Sequence, residues 1–316
     1  MKTHQRTFLG RMKLMAQKCS RKALLLAFAG CLFLIILTRA FTSKENIDNI
    51  ETEGTSRPAM ERSSPETEDL FLHPDLVGKD MHDEAVIKAA QEALIAPSHD
   101  VPYHLDNPNR RFFSQHGQDI YLKEVFKDTR GGFFFEVGAF TGETYSNTLL
   151  LERELGWTGV LMEPTPSSYR ALKSKNRRAH IMRACIAPDT NYSELLLDVG
   201  KINANENTLT NAEKTQNSVR VPCYPFYSVM AALGNPVVDY MSLDVEGVEM
   251  NVLKSIPWND VKIRVITIEI IWAAEGPEGI KKFMEGRGFE FIRQLDFDYL
   301  FFNKKLSDGL NREFKV

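Results

Sequence analysis

Apolar and polar positions divide the chain into three textures. One unbroken apolar run fills 23–37, Ala-Leu-Leu-Leu-Ala-Phe-Ala-Gly-Cys-Leu-Phe-Leu-Ile-Ile-Leu, and extends through Thr38 to Phe41 with Arg39 as its sole charge. Nothing interrupts the apolar surface on any face, and its length matches the roughly 17–25 residues a membrane-crossing helix needs. From 42 to 110 the chain is rich in Glu, Ser, Thr and Pro, with few large apolar residues and no sustained period. Such a stretch cannot bury enough surface to fold alone, so it is expected to be a stem, relieved by one short helix over 83–95. From 111 onward, short apolar runs alternate with helical spacing. That alternation predicts βαβ units around a mainly parallel sheet.

The runs place the strands. Phe133-Phe-Phe-Glu-Val137 is the first, followed by 159–162, 180–186, 237–243 and 264–270. Residues 289–292 and 299–302 predict a closing antiparallel pair joined by an acidic turn. Between the first two strands, 144–155 has helical spacing and stops at Gly156. The expected fold is therefore an α/β Rossmann-like sheet behind an N-terminal transmembrane helix and a flexible stem. Its parts are a basic tail over 1–22, an anchor over 23–41, a stem over 42–110 and a globular domain over 111–316.

Charge sharpens the reading of the apolar run. Before it stand Lys2, Arg6, Arg11, Lys13, Lys18, Arg21 and Lys22, with no Asp or Glu; after it, acids outnumber bases as far as residue 110. The positive-inside rule then keeps the N-terminus in the cytosol and sends the rest across as a type II membrane protein. A cleaved secretory signal is the alternative, with Thr38-Arg39-Ala40 as its cut site. Both readings place the domain outside the cytosol, with membrane lipid as a partner of 23–41. Cys185 and Cys223, two of the four cysteines, are expected to pair there, and Asn191-Tyr192-Ser193 is a glycosylation sequon. The net charge of −3 gives no reason to expect nucleic acid as a partner.

In open α/β sheets ligands bind beyond the carboxyl ends of the strands. Glu136-Val-Gly138-Ala-Phe-Thr-Gly142 closes the first strand and opens the following helix, an acid-x-Gly-x-x-x-Gly pattern. A dinucleotide fingerprint has Gly where this chain has Glu136, so a nicotinamide cofactor is disfavoured. An acid there suits a ligand with a cationic amino-acid moiety, such as S-adenosylmethionine. Glu163, ending the next strand, is placed to accept both ribose hydroxyls. Asp244, Glu246 and Glu249 follow the fourth strand, and Glu269 lies near the end of the fifth. Three roles stay open for this group. Asp244 and Glu269 offer hard oxygen ligands for Mg²⁺; Asp244 or Glu246 offers a general base; or Asp244 and Glu246 cap the helix that follows. His116 is a further candidate base.

Six stretches over 111–303 together resemble the FkbM family of methyltransferases. They are Ser114-Gln-His-Gly-Gln-Asp119, the Glu136–Gly142 turn, Ser146-Asn-Thr-Leu-Leu-Leu-Glu152, Gly156-Trp-Thr-Gly159, Glu163-Pro164 and Ser242-Leu-Asp-Val-Glu-Gly-Val-Glu249. The resemblance implies a class I S-adenosylmethionine-dependent sheet and O-methylation of hydroxyl groups, often on sugars or glycosylated metabolites. It places Gln118 and Asp119 near the pocket mouth, Glu136, Gly138 and Gly142 around the methionine moiety with the two glycines lining the cleft floor, and Glu163 on the ribose. The order of tail, anchor, stem and domain, with Tyr240-Met-Ser-Leu-Asp-Val-Glu-Gly247, also resembles the Star-like single-pass membrane proteins. For that family the implied role is carriage of membrane-bound growth-factor precursors, as cargo, through endoplasmic reticulum, Golgi and endosomal membranes.

Overall fold

The computed structural model describes residues 69–199, 209–210 and 218–311. The basic tail, the anchor run 23–41 and the first part of the stem lie outside them. Among the described residues no helix is long and apolar enough to cross a membrane.

The central sheet is built from β1 (Phe133–Val137), β2 (Thr158–Met162), β3 (His180–Met182), β8 (Val238–Leu243), β9 (Ile263–Glu269), β10 (Phe289–Leu295) and β11 (Asp298–Asn303). Its order is β10-β11-β9-β8-β1-β2-β3. β1 pairs in parallel with both β2 and β8, whereas β11 runs antiparallel to β9 and β10. That order, with one strand reversed near an edge, is the class I methyltransferase sheet the resemblance implied. Side-chain alternation splits the core into two layers. Phe135, Val137, Met241, Ile266 and Ile268 pack on one face, and Phe134, Tyr240 and Val265 on the other. Around the sheet lie α1 (Glu84–Ala93), α2 (Gln118–Val125), α3 (Leu149–Leu155), α4 (Pro166–Ser174), α5 (Phe226–Ala232), α6 (Glu249–Ser255) and α7 (Gly276–Gly286).

The structure corrects three expectations. The stem read as unstructured to 110 is packed against the domain from about residue 70. The helix within it forms as α1, where Asp83 caps the N-terminus by accepting from the Ala85 amide. Its Val86, Ala89, Ala90 and Ala93 join the main core, and Asp106 and Asn107 donate their amides to the buried Glu143. This segment folds because a partner surface supplies the burial that its own composition lacks. The second correction concerns 180–186, which is two strands. The chain leaves the central sheet at Arg183 and Ala184, and β4 (Cys185–Ile186) joins a second sheet with β5 (Ser193–Asp198), β6 (Leu209–Thr210) and β7 (Ser218–Tyr224) in the order β4-β7-β5-β6. Cys185 pairs with Cys223 across β4 and β7, and the expected disulfide bonds them. Thirdly, the helix expected over 144–155 begins only at Leu149. The polar side chains before it are occupied with other partners, as side chains of this type are when they compete with helix formation.

Candidate active site

The strand order reverses between β1 and β8, and a cleft of about 350 Å³ opens beyond the carboxyl ends of β1, β2, β8 and β9. A pocket of that size is of small-molecule scale. Its walls fall into two halves.

On the β1–β2 side stands Glu136, fully buried. Its Oε1 accepts from the Asn147 amide (2.7 Å), and its Oε2 accepts from the Ser146 hydroxyl (3.2 Å) and the Thr148 hydroxyl. Burial pushes its carboxyl up, opposed by Arg177 and by these hydrogen bonds. Arg177, itself buried, stitches the same loop. It donates to Glu152 (2.9 Å), to the hydroxyls of Thr148 (3.0 Å) and Ser146 (3.2 Å) and to the Gly142 carbonyl. Each carboxylate oxygen can accept two bonds, so Oε1 of Glu136 keeps capacity for one more donor. Asn147, which also lines the cleft, gives its amide nitrogen to Ser242 (2.9 Å) and leaves Oδ1 buried and unpartnered. A loop held by its own charged network, with one orphaned amide oxygen on a residue of the cleft wall, suits a cationic ligand group.

Glu163 closes β2 as expected. It accepts from the amides of Phe140 (2.9 Å) and Thr165 (2.8 Å), and burial pushes its carboxyl up to about 7. Gly138 lines the cleft at φ +82, and a Cβ there would lie 2.4 Å from the Asp244 carbonyl. Only glycine permits both that conformation and that approach. Gly142 does not share the floor. Its α-carbon faces Leu172 of α4, where a Cβ would come within 2.4 Å, so this glycine serves the packing of α4.

The other half gathers Asp244 and Glu246 after β8, Glu269 at the end of β9 and Asp298 at the start of β11. Asp298 lies directly opposite Glu269 in the β9–β11 register and accepts from the Gln118 side chain (2.7 Å). Asp244 keeps exposed surface and lines the cleft with Glu246 and Glu269. Burial, then repulsion from Glu246, Asp298 and Glu249, raises it well above the carboxylate range. Burial and the same neighbours, Asp244 first, raise Glu269, whose Oε2 is buried and unpartnered.

Several sequence-derived roles change. Asp119 does not reach the cleft; it is buried and accepts from the Phe113 (2.6 Å), Ser114 (3.2 Å) and Ile120 (2.9 Å) amides, fixing the turn into α2. Gln118 does line the cleft. Asp244 and Glu246 do not cap the next helix, since the N-cap of α6, Val248, has no side-chain cap. Glu249 instead reaches back to the amides of Val245 (3.2 Å) and Gly247 (3.0 Å) and holds the 244–249 turn. Among the described residues no group of three or more His, Cys, Asp or Glu is placed to hold a metal ion, and nothing in the structure supports the Mg²⁺ expected at Asp244 and Glu269. His116 is in the cleft wall, with Nδ1 2.7 Å from Asp296 and its ring edge-on to Phe297. Sequence reasoning missed Asn147, Arg177, Asp296 and Asp298. The acidic turn between the last strands was the one available signal, and it pointed to the final two.

No curated protein matches the chain. Solved structures similar to parts of it include a methyltransferase from Pyrococcus furiosus, at 11% identity and a TM-score of 0.32, covering 59% of this chain and 82% of that one. Another is the METTL16 MTase domain, at 12% and 0.35, covering 76% and 88%. A third is the Haemonchus contortus phosphoethanolamine N-methyltransferase 2 bound to phosphomonomethylethanolamine and S-adenosylhomocysteine, at 13% and 0.30, with 57% of this chain against 39% of that longer one. The family model described as the methyltransferase FkbM domain matches residues 136–291. The match runs from the acid that ends β1 into β10 and takes in the segment that forms most of the cleft.

Proposed function

We propose that this protein is a membrane-anchored, S-adenosylmethionine-dependent methyltransferase that acts on a hydroxyl of a sugar-like or glycoconjugate acceptor, with its domain on the luminal side. The observation that carries the reading is the pair Glu136 and Glu163 at the ends of adjacent parallel strands, both lining one cleft whose floor at Gly138 tolerates no side chain. The cofactor supplies an electrophilic methyl group on a sulfonium. Glu163 receives the ribose hydroxyls on the lone pairs that its contacts with Phe140 and Thr165 leave free. Glu136 and Asn147 offer acceptors to the α-ammonium group. Residues at the ends of β8 and β9 face the point where the acceptor hydroxyl must sit, and one of their carboxylates or His116 takes its proton.

The run 23–41 supports an anchor, and the seven bases before it support type II topology. The Cys185–Cys223 bond agrees with a luminal domain. Two measurements test this placement. Glycosidase treatment should lower the mass of the native chain and leave Asn191→Gln unchanged. In sealed microsomes, protease should spare the domain; digestion of the domain with protection of the N-terminus overturns it.

The tail, anchor and domain order support a second reading, a Star-like trafficking factor that binds membrane-protein cargo through its surface. The two readings separate on the cofactor. Thermal denaturation of the full chain should shift upward with S-adenosylhomocysteine if the cleft is used, and show no shift at millimolar ligand if only the surface is.

A further inference from the structure

One flank of the cleft is not part of the central sheet. Cys185, Ile186 and Leu197, from β4 and β5 of the second sheet, line it. They adjoin the cofactor half: the Glu163 amide donates to the Met182 carbonyl (3.1 Å), and the chain runs from Met182 through Arg183 and Ala184 directly to Cys185. With Glu163 on the ribose, this flank is the next surface that the nucleoside meets. Cys185 carries the bond to Cys223, so one partner of a disulfide is a lining residue of the cleft.

The flank is lightly built. β4 is two residues long and pairs with β7 as Cys185 with Cys223 and Ile186 with Tyr224. The Ala187 amide adds one bond to the Tyr224 carbonyl (2.8 Å). Among the described residues its own core consists of five buried side chains, Cys185, Ala187, Leu197, Val221 and Cys223, while Ile186 packs into the main core. Two of the five are the bonded cysteines, and two, Cys185 and Leu197, line the cleft. So small a core is of the kind that a covalent staple has to hold. Without the bond, the Ile186 anchor, a short strand pair and a few apolar contacts remain, so β4 opens locally well before the central sheet unfolds. A ligand that needs the closed flank then binds more weakly, in proportion to the fraction of molecules that have it formed.

We propose that the Cys185–Cys223 disulfide positions the cofactor half of the cleft, and that the chain binds S-adenosylmethionine tightly only once this bond has formed. The identity of the ligand rests on the methyltransferase reading. The chemistry is thiol–disulfide exchange with a partner disulfide. The bond between the two Sγ atoms forms as the partner's S–S bond breaks; the two thiols give up two electrons and two protons, and the partner leaves as two thiols. On this account the domain acquires its cofactor affinity in an oxidising compartment. Linkage is reciprocal, so a ligand in the cleft protects the bond from reduction by the factor through which the bond favours the ligand. Cys185 is 3% exposed and Cys223 0%, so a reductant reaches the bond through the local opening that the ligand suppresses.

The full chain in detergent, oxidised, is titrated calorimetrically with S-adenosylhomocysteine beside the double variant Cys185→Ala with Cys223→Ala. The variant should keep its circular dichroism and bind at least about tenfold more weakly, a difference of about 1.4 kcal/mol. In the unsubstituted chain, saturating S-adenosylhomocysteine should slow reduction of the bond by a phosphine several-fold, read by thiol alkylation of the Cys185 and Cys223 peptides. Glutathione disulfide, added after reduction, should restore the affinity. Equal affinity in a folded variant overturns the proposal. So does a reduction rate that S-adenosylhomocysteine leaves unchanged, and this second measurement decides the matter even where the variant does not fold. Binding that is indifferent to the bond removes this proposal alone, whereas no binding by the oxidised chain removes the cofactor reading and the proposal together.

Discussion

The two walls of the cleft solve the same problem, a buried carboxylate, in opposite ways. On the β1–β2 wall each acid is bound into the protein: Glu136 by the 146–148 turn with Arg177 behind it, and Glu163 by the Phe140 and Thr165 amides. On the wall formed by β8, β9 and β11, Asp244, Glu246, Glu269 and Asp298 crowd one another, and the Glu269 oxygen has no partner. A satisfied wall is rigid before any ligand arrives, as suits a cofactor of constant shape. A frustrated wall is held in place by the rest of the fold at some cost in stability, as functional sites commonly are. Substitutions should therefore destabilise the first wall and relieve the second.

The largest effect is expected at Arg177. Replacing it with Met leaves Glu136 and Glu152 buried without their cation, and unpairing a buried ion pair costs about 3–5 kcal/mol. Chemical denaturation should show that loss. A change below about 1 kcal/mol would mean that the loop does not depend on the network.

Glu163 should show a smaller effect with a clear pH signature. Its folded carboxyl is raised to about 7, above its unfolded value, so the folded state keeps the proton where the unfolded chain has released it. Stability from this group is therefore full at low pH and declines as pH rises toward 7. Ribose hydroxyls favour the ionised form, so affinity for S-adenosylhomocysteine should rise as pH passes through about 7 and level off above. Glu163→Gln keeps an acceptor for one amide and should flatten that profile in calorimetry at a series of pH values. An unchanged profile would detach Glu163 from the ligand.

The smallest effect reverses sign. Glu269→Gln removes one of the mutually repelling acids and should stabilise the fold by up to about 1 kcal/mol. The gain should be absent near pH 4, where the carboxyl is protonated in both states, and grow as pH rises, because the native group is raised. Melting temperatures at pH 4 and pH 8 would show it. A variant less stable at pH 8 would mean that this wall is not frustrated.

The same division explains what the sequence made legible. Glu136, Gly138 and Glu163 sit at strand ends within short motifs, where local pattern and position in a parallel sheet fix their place. The second wall draws on distant parts of the chain. Asp298 comes to Glu269 only through an antiparallel strand inserted beside β9, a pairing that neither flanking sequence reveals. Arg177 follows a helix in an ordinary polar stretch, and only the folded loop shows what it binds. Asp119 carried a motif and was read toward the pocket, yet the amides of its own turn take up its carboxylate. Gly142 was likewise read toward a ligand when the close approach it permits is that of Leu172. Composition identified a polar stem but gave no sign that 70–110 would find a surface to pack on, because that surface is formed by residues far along the chain.

The central claim is that the satisfied wall is an S-adenosylmethionine site, and calorimetric titration of the full chain with S-adenosylmethionine tests it most directly. The account predicts one site per chain, with affinity lowered about tenfold or more in Glu163→Gln, a loss of about 1.4 kcal/mol. No heat of binding at millimolar S-adenosylmethionine, or equal affinity in the variant, would contradict it.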